Sequence, residues 1–279
     1  MSDVIDAAEA DRALKAKHRA MWALGDYPAV ATEMIATLGP ILVDSCDVLP
    51  GDRVLDVAAG TGNAAIPAAL AGADVVACDL TPELLDTGRR QAERAGAKLE
   101  WRQADAEALP FPDGEFDRVL SCVGVMFAPH HQASADELVR VCRPGGTIGL
   151  LSWTPEGFIG QMFATMKPYA APPPPGAQPP PLWGSPDHVR SLLGDRVTDV
   201  AARRQTVRID RFPTPEAFRD YFKSKYGPTI AVYKGIAEDP EMVAALDRDL
   251  ADLAQRHDQG TKTTVMDWEY LLLTARKRI

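Results

Sequence analysis

Acid, glycine and histidine residues fall at spacings that point to one small-ligand site. Asp56 stands four residues ahead of Gly60 in the stretch Arg53-Val54-Leu55-Asp56-Val57-Ala58-Ala59-Gly60-Thr61-Gly62-Asn63. Glycines at 60 and 62 lack the β-carbons that would hold a nucleoside ligand off the backbone, and they permit φ above zero. An acid at that place repels a diphosphate and attracts an ammonium group. Asp79 follows 17 residues after Gly62, near the spacing at which a carboxylate meets a pair of ribose hydroxyls in a charge-assisted, bidentate arrangement. A helix N-cap before Thr81-Pro82-Glu83 is the plain reading of the same segment, but it gives Asp79 no task. His130 and His131 lie just past a later apolar run. A neutral imidazole there could serve as general base for a phenol or hydroxyl group. Two adjacent histidines ahead of a helix equally read as an exposed first turn.

These residues need strands and helices to hold them. Arg53 to Val57 is a short apolar run after the turn signal Pro50-Gly51-Asp52, and reads as a buried parallel strand. Ala64 to Ala71 favours helix, whose N-terminal amides and positive dipole end face the glycine turn. Further strands are expected at 74–79, 98–102, 116–122, 147–153, 198–210 and 265–274. Helices are expected at 3–21, 29–46, from Pro82 to Gly96, at 133–142, 214–225 and 240–256. The last two would form a cap inserted before the final strand. Ala171 to Pro181 is proline-rich and reads as an extended surface or lid loop. The resulting expectation is an α/β, Rossmann-like, seven-stranded and mostly parallel sheet with helices on both faces. Residues 1–48 would be an N-terminal helical lid and 49–155 the ligand-binding core. A proline-rich loop and helix would follow at 156–196, then the end of the sheet at 197–279 with its cap at about 212–258.

The first motif resembles that of class I S-adenosylmethionine (SAM) dependent methyltransferases, which reads acid-x-Gly-x-Gly-x-Gly, with Ala58 here in place of the first glycine. The segment Asp105-Ala106-Glu107-Ala108-Leu109-Pro110 and the ending Leu138-Val139-Arg140-Val141-Cys142-Arg143-Pro144-Gly145-Gly146 are similar to further stretches of that family. The resemblance implies SAM as cofactor. Asp56, Ala58, Gly60, Thr61, Gly62 and Asn63 would hold its methionine end. Asp79 would hold the ribose, and Asp105 would accept from the adenine amine, with the Ala106 amide facing the ring. Leu80 and Ser121 belong to the same cofactor group. Trp22 and Tyr27 would close over SAM and substrate as a lid, or else form a packing plug. Met126, Phe127, Tyr221, Phe222 and Tyr226 would line an acceptor pocket suited to a hydrophobic or aromatic small molecule; any hydrophobic cap–core interface has the same composition.

Because the methyl group of SAM sits on a sulfonium, binding residues should outnumber catalytic ones. The function implied is methyl transfer to an O, N or C nucleophile, as in the class containing quinone C-methyltransferases and bacterial natural-product methyltransferases. A nicotinamide-dependent oxidoreductase with a variant glycine fingerprint and a non-catalytic SAM-binding protein are the competing readings. A net charge of -9 over 279 residues argues against nucleic acid as partner, since a phosphate backbone asks for basic patches. Four cysteines without CxxC spacing read as buried thiols, neither metal ligands nor a disulfide framework. No signal peptide or membrane span is apparent, so a cytoplasmic protein is expected. A homodimer stays open.

Overall fold

In the computed structural model, which describes residues 2–279, the alanine- and charge-rich N-terminus forms α1 (Ser2–Trp22). Gly25, at φ 68°, turns the chain into α2 (Tyr27–Met34), which starts where the Asp26 side chain accepts from Ala29 N. The single helix expected over 29–46 is two, for α3 (Leu38–Ser45) begins after a break at residues 35–37. The cause lies far away in sequence. Asn63 Nδ2 donates to the Ile35 carbonyl, and Gly39 packs so closely on Asn63 that a β-carbon would come 1.6 Å from its carbonyl oxygen.

The core then alternates strand and helix: β1 (Arg53–Val57), α4 (Ala65–Leu70), β2 (Asp74–Asp79), α5 (Pro82–Ala95), β3 (Glu100–Gln103), β4 (Phe116–Cys122), α6 (His131–Val141) and β5 (Cys142–Trp153). α7 (Phe158–Met166) and α8 (Pro186–Leu193) flank the proline-rich loop. β6 (Val197–Phe212) and β7 (Thr264–Lys277) bracket three helices, α9 (Pro215–Lys225), α10 (Gly227–Gly235) and α11 (Pro240–His257). α10 was not expected; Pro228 sits in its first turn, where a missing N–H costs nothing. The four residues 143–146, expected as a helix stop, open β5 as an irregular start, with a register shift opposite Phe116 and Arg118.

The sheet runs β3-β2-β1-β4-β5-β7-β6. Pairings from β3 to β5 are parallel and both pairings of β7 are antiparallel, so the mostly parallel Rossmann-like build is borne out. Strand order reverses between β1 and β4, and ligands of open α/β sheets bind outside the strand ends at such a point. Both faces of the inner strands are covered, which is why Val54, Leu55, Val57, Val76 and Leu120 have no exposed surface. At the far end Phe158 stacks on Trp268 at 5.5 Å, with Phe218 and Phe222 edge-on, and this aromatic cluster fastens the cap to β7. Among the described residues no helix is long and apolar enough to cross a membrane.

Candidate active site

The C-terminal ends of β1, β2 and β4 open into a cavity lined by the glycine turn, α1 and the tips of these strands. Ala58 and Gly60 take φ values of 54° and 56°, so the chain coils tightly beneath it. A β-carbon on Gly60 would meet only the Tyr27 ring, at 3.4 Å, leaving bare backbone for a ligand to approach. Gly62 serves a different purpose. Its β-carbon would strike the Trp101 indole at 2.7 Å, so this glycine makes room behind the turn and is not on the cavity wall.

Asp79 and Asp105 both reach the cavity. Asp79 is 8% exposed; its Oδ2 accepts from Gly60 N and its Oδ1 from Thr81 N, each at 2.8 Å. Burial pushes its carboxyl above the ordinary range, against the pull of the Thr81 and Gly60 amides. Asp105 Oδ1 accepts from Glu107 N at 2.9 Å, and its Oδ2 pairs with Lys15 of α1. Lys15 also bridges Asp11 at 3.1 Å and Glu107 at 2.9 Å. Burial lowers the Lys15 ammonium, but Asp105 and Glu107 outweigh it and hold the group above its usual value. Asp11, Glu107 and His130 approach one another closely enough to suggest a cation site, and the Lys15 ammonium already neutralises two of them.

Asp56 lies behind the turn instead of facing the cavity. It is 1% exposed, and its Oδ2 accepts from Ala65 N at 2.8 Å, so the first amide of the six-residue α4 is spent on this acid. Its Oδ1 is buried without a partner. Burial pushes the carboxyl up to about 7, with Asp79 adding to the rise and the Ala65 and Ala64 amides opposing it. Its folded-state pKa thus exceeds the unfolded value of 3.8. The stability tied to the protonated form is therefore complete below pH 4 and is lost as pH rises through 7. In thermal melts of the ligand-free protein, Asp56→Asn should flatten the decline between about pH 4 and pH 7 that the native chain shows. Parallel curves for the two proteins over that interval would remove Asp56 as the cause.

Of the other expected residues, Trp22, Tyr27, Thr61, Asn63, Leu80, Ala106 and Phe127 border the cavity with Ala58 and Gly60. Ser121 does not; its hydroxyl donates to the Val57 carbonyl at 2.7 Å and accepts from Val125 N at 2.8 Å, tying two strand tips together. Met126 is fully buried in the core, whereas Phe127, next in the same short turn, faces the cavity. Tyr221 turns away to Glu33, 3.1 Å from its hydroxyl. Phe222 and Tyr226 instead line a second, much smaller apolar void.

Neither histidine offered as base reaches the first cavity. His130 caps α6, with Nδ1 2.9 Å from Glu107 Oε2. His131 points to the opposite side of that helix start, 0% exposed, with Nδ1 2.9 Å from His188 Nε2 and its ring against Trp183. Burial and the neighbouring His188 lower its pKa to about 4. The histidine that does border the cavity is His18, kept neutral by burial. Lys15, His18 and Trp22 recur at helical spacing along one face of α1, a signal legible in the sequence and passed over. His18 stands beside Lys15 and Glu107, at the Asp105 end of the cavity.

An acid-bearing cavity over a glycine turn, at the point where strand order reverses, places the chain among the open α/β folds whose ligand sites lie at the strand ends. Residues 54–146 match the family model described as a methyltransferase domain. The chain is 55% identical over 260 residues to an uncharacterized protein of Mycobacterium tuberculosis, covering 93% of this chain and 94% of that one. It is 39% identical over 115 residues to the demethylmenaquinone methyltransferase of Thermus thermophilus, covering 40% of this chain and 52% of that protein. The YcgJ protein of Bacillus subtilis shares the fold, with a TM-score of 0.58 at 15% identity over 87% of this chain and 99% of that one. Residues 54–146 thus form a methyltransferase domain, and the chain has the fold of the class I SAM-dependent methyltransferases.

Proposed function

We propose that this chain moves a methyl group from SAM to an oxygen, nitrogen or carbon nucleophile of a small hydrophobic or aromatic molecule. The observation that carries the reading is the pair of carboxylates, Asp79 and Asp105, on one cavity wall with the bare Gly60 backbone. SAM supplies a methyl group already activated by its sulfonium. What remains for the protein is to hold, orient and dry.

Asp79 keeps lone pairs beyond those used by Gly60 N and Thr81 N, and these can accept two ribose hydroxyls. Asp105 would accept from the adenine amine beside the Ala106 amide, with Leu80 and Leu84 supplying apolar walls. Asn63 and the Ala58–Gly60 turn would hold the methionine end, and Asp56 would act through the turn it braces. Two acids against one lysine leave the wall with an excess of negative charge, which suits a sulfonium and an ammonium and opposes the diphosphate of a nicotinamide dinucleotide. Trp22 packs edge-on against Tyr27, Phe127 and Tyr226, with centroids 5.2, 4.7 and 5.8 Å away, and this cluster would exclude water from the transfer.

Calorimetric titration with SAM, S-adenosylhomocysteine and NAD tests the reading. The first two should bind at one site and NAD should not. Binding of NAD alone would return the chain to the oxidoreductases.

A further inference from the structure

Lys15, His18 and Trp22 place one side of α1 on the cavity. Of residues 9–22 none is buried, and the part-buried ones, Asp11, Leu14, Lys15, His18, Met21 and Trp22, recur at helical spacing. This is the face turned to the body of the protein, and half of its side chains are charged or titratable. A helix held by packing alone shows an apolar stripe to its support. α1 has no such stripe, so apolar burial supplies little of its hold.

The stretch is fastened differently at its two ends. At the C-terminal end Gly227 lies so close that a β-carbon there would come 2.3 Å from the Met21 carbonyl oxygen, and Trp22 packs among the rings of Tyr27, Phe127 and Tyr226. About two turns earlier the hold is electrostatic. Lys15 Nζ pairs with Asp105 Oδ2 and, at 2.9 Å, with Glu107 Oε2. The receiving side is fixed in advance, because Asp105 Oδ1 accepts from Glu107 N and Glu107 Oε1 accepts from His130 N at 2.7 Å. The Lys15 side chain is 15% exposed and that of Glu107 4%. Charges so far withdrawn from water bind strongly to a partner and suffer when it leaves. The Arg19–Glu83 pair, at 3.4 Å and open to solvent on both sides, adds little.

We propose that α1 is a strap across the cavity and that Lys15 is its latch: ligand passes the Asp105 end only when the Lys15 ammonium leaves Asp105 and Glu107. Closed is the resting state, and opening is a local event that frees α1 without unfolding the sheet beneath it. The acid that would receive the adenine amine is the same one that holds the strap shut. That the passenger is SAM or its product rests on the reading of this cavity as the cofactor site. The latch itself does not.

Two measurements test it, one without ligand and one with S-adenosylhomocysteine. In the ligand-free protein, Lys15→Met should speed amide hydrogen exchange across residues 9–22 by about ten-fold or more, the worth of a lost charged hydrogen bond. Lys17→Met removes the same charge from the exposed side of α1 and should leave exchange at the native rate. In stopped-flow mixing, a gated site gives an observed binding rate that levels off with ligand concentration at the rate of opening. Lys15→Met should raise that plateau, and the dissociation rate with it, by about ten-fold or more. A residue that merely touched the ligand would alter dissociation and leave the plateau alone.

Native exchange rates in Lys15→Met, or equal acceleration by Lys17→Met, overturn the latch. So does a native binding rate that rises without levelling off, or a plateau that Lys15→Met leaves in place. Should exchange in α6 also rise in Lys15→Met, its fold is disturbed, and the native protein decides. Between about 0.05 and about 0.5 M NaCl its α1 exchange should quicken while α6 holds steady, and an α1 indifferent to salt overturns the proposal. Failure of the native protein to bind S-adenosylhomocysteine counts against the cofactor reading instead, and hydrogen exchange alone then judges the latch.

Discussion

Asp79→Asn should weaken S-adenosylhomocysteine binding by about 100-fold or more. Both carboxylate oxygens already receive a backbone N–H, from Gly60 and from Thr81. Whichever way an amide side chain is turned, its NH2 group confronts one of those donors, and the turn beneath the ligand is pushed out of place. The variant also forfeits the charge that would receive two ribose hydroxyls, each such charge-assisted bond being worth about 1.5–3 kcal/mol. Together these account for the factor of about 100. The same clash is present in the ligand-free protein, so some stability is lost as well. Calorimetry gives the affinity and a melt gives the stability. Affinity within ten-fold of native would show that Asp79 does not hold the sugar.

Gly39→Ala should be the most disruptive small substitution in the N-terminal half. Helix propensity alone favours alanine here by about 1 kcal/mol, so the two arguments have opposite signs. The added carbon would sit 1.6 Å from the Asn63 carbonyl oxygen and 2.4 Å from its carbon. Both are backbone atoms, so no change of rotamer relieves the contact, and α3 must lift away from the turn. A cost of about 3 kcal/mol follows from such overpacking, lowering the melting temperature by roughly 6–10 °C. Cofactor affinity should fall with it, since Asn63 belongs to the cavity wall. A rise in melting temperature would show that propensity prevails and that the helix–turn contact is soft.

Much of this architecture could be read from residue order because its determinants are local. Apolar runs bounded by Gly, Pro and Asp located every strand of the sheet, and acids at the ends of two of them, Asp79 and Asp105, do face one cavity. What escaped the sequence depends on direction or distance. His130 and His131 are neighbours at a helix start and point to different places, and the same holds for Met126 and Phe127 in one short turn. Spacing shows that such residues lie near the ligand; it does not show which of them faces it. The break between α2 and α3 is imposed by Asn63, whose side-chain amide and backbone reach back across more than twenty residues. Asp56 was legible as important, but its strand-end position looks the same whether the carboxylate faces a cavity or, as here, accepts from the start of the following helix. Lys15 and His18 were available as a helical stripe, yet a surface helix rich in charge gives no hint of which charges it will bury.

The turn between α1 and α2 is joined to the α9–α10 junction. Asp26 N donates to the Lys225 carbonyl at 2.9 Å, Lys225 Nζ returns to Asp26 Oδ2 at 2.9 Å, and Gly25 bridges Tyr226 with no room for a side chain. Trp22 and Tyr27 on the first cavity and Tyr226 on the second are thereby tied into a single slab. If the proposed methyl transfer is right, spent nucleoside and methylated product should leave together, so that during steady turnover neither one exchanges with bulk while the other stays bound. Isotope-exchange kinetics that found free exchange of one species in the presence of the other would show that the slab is split.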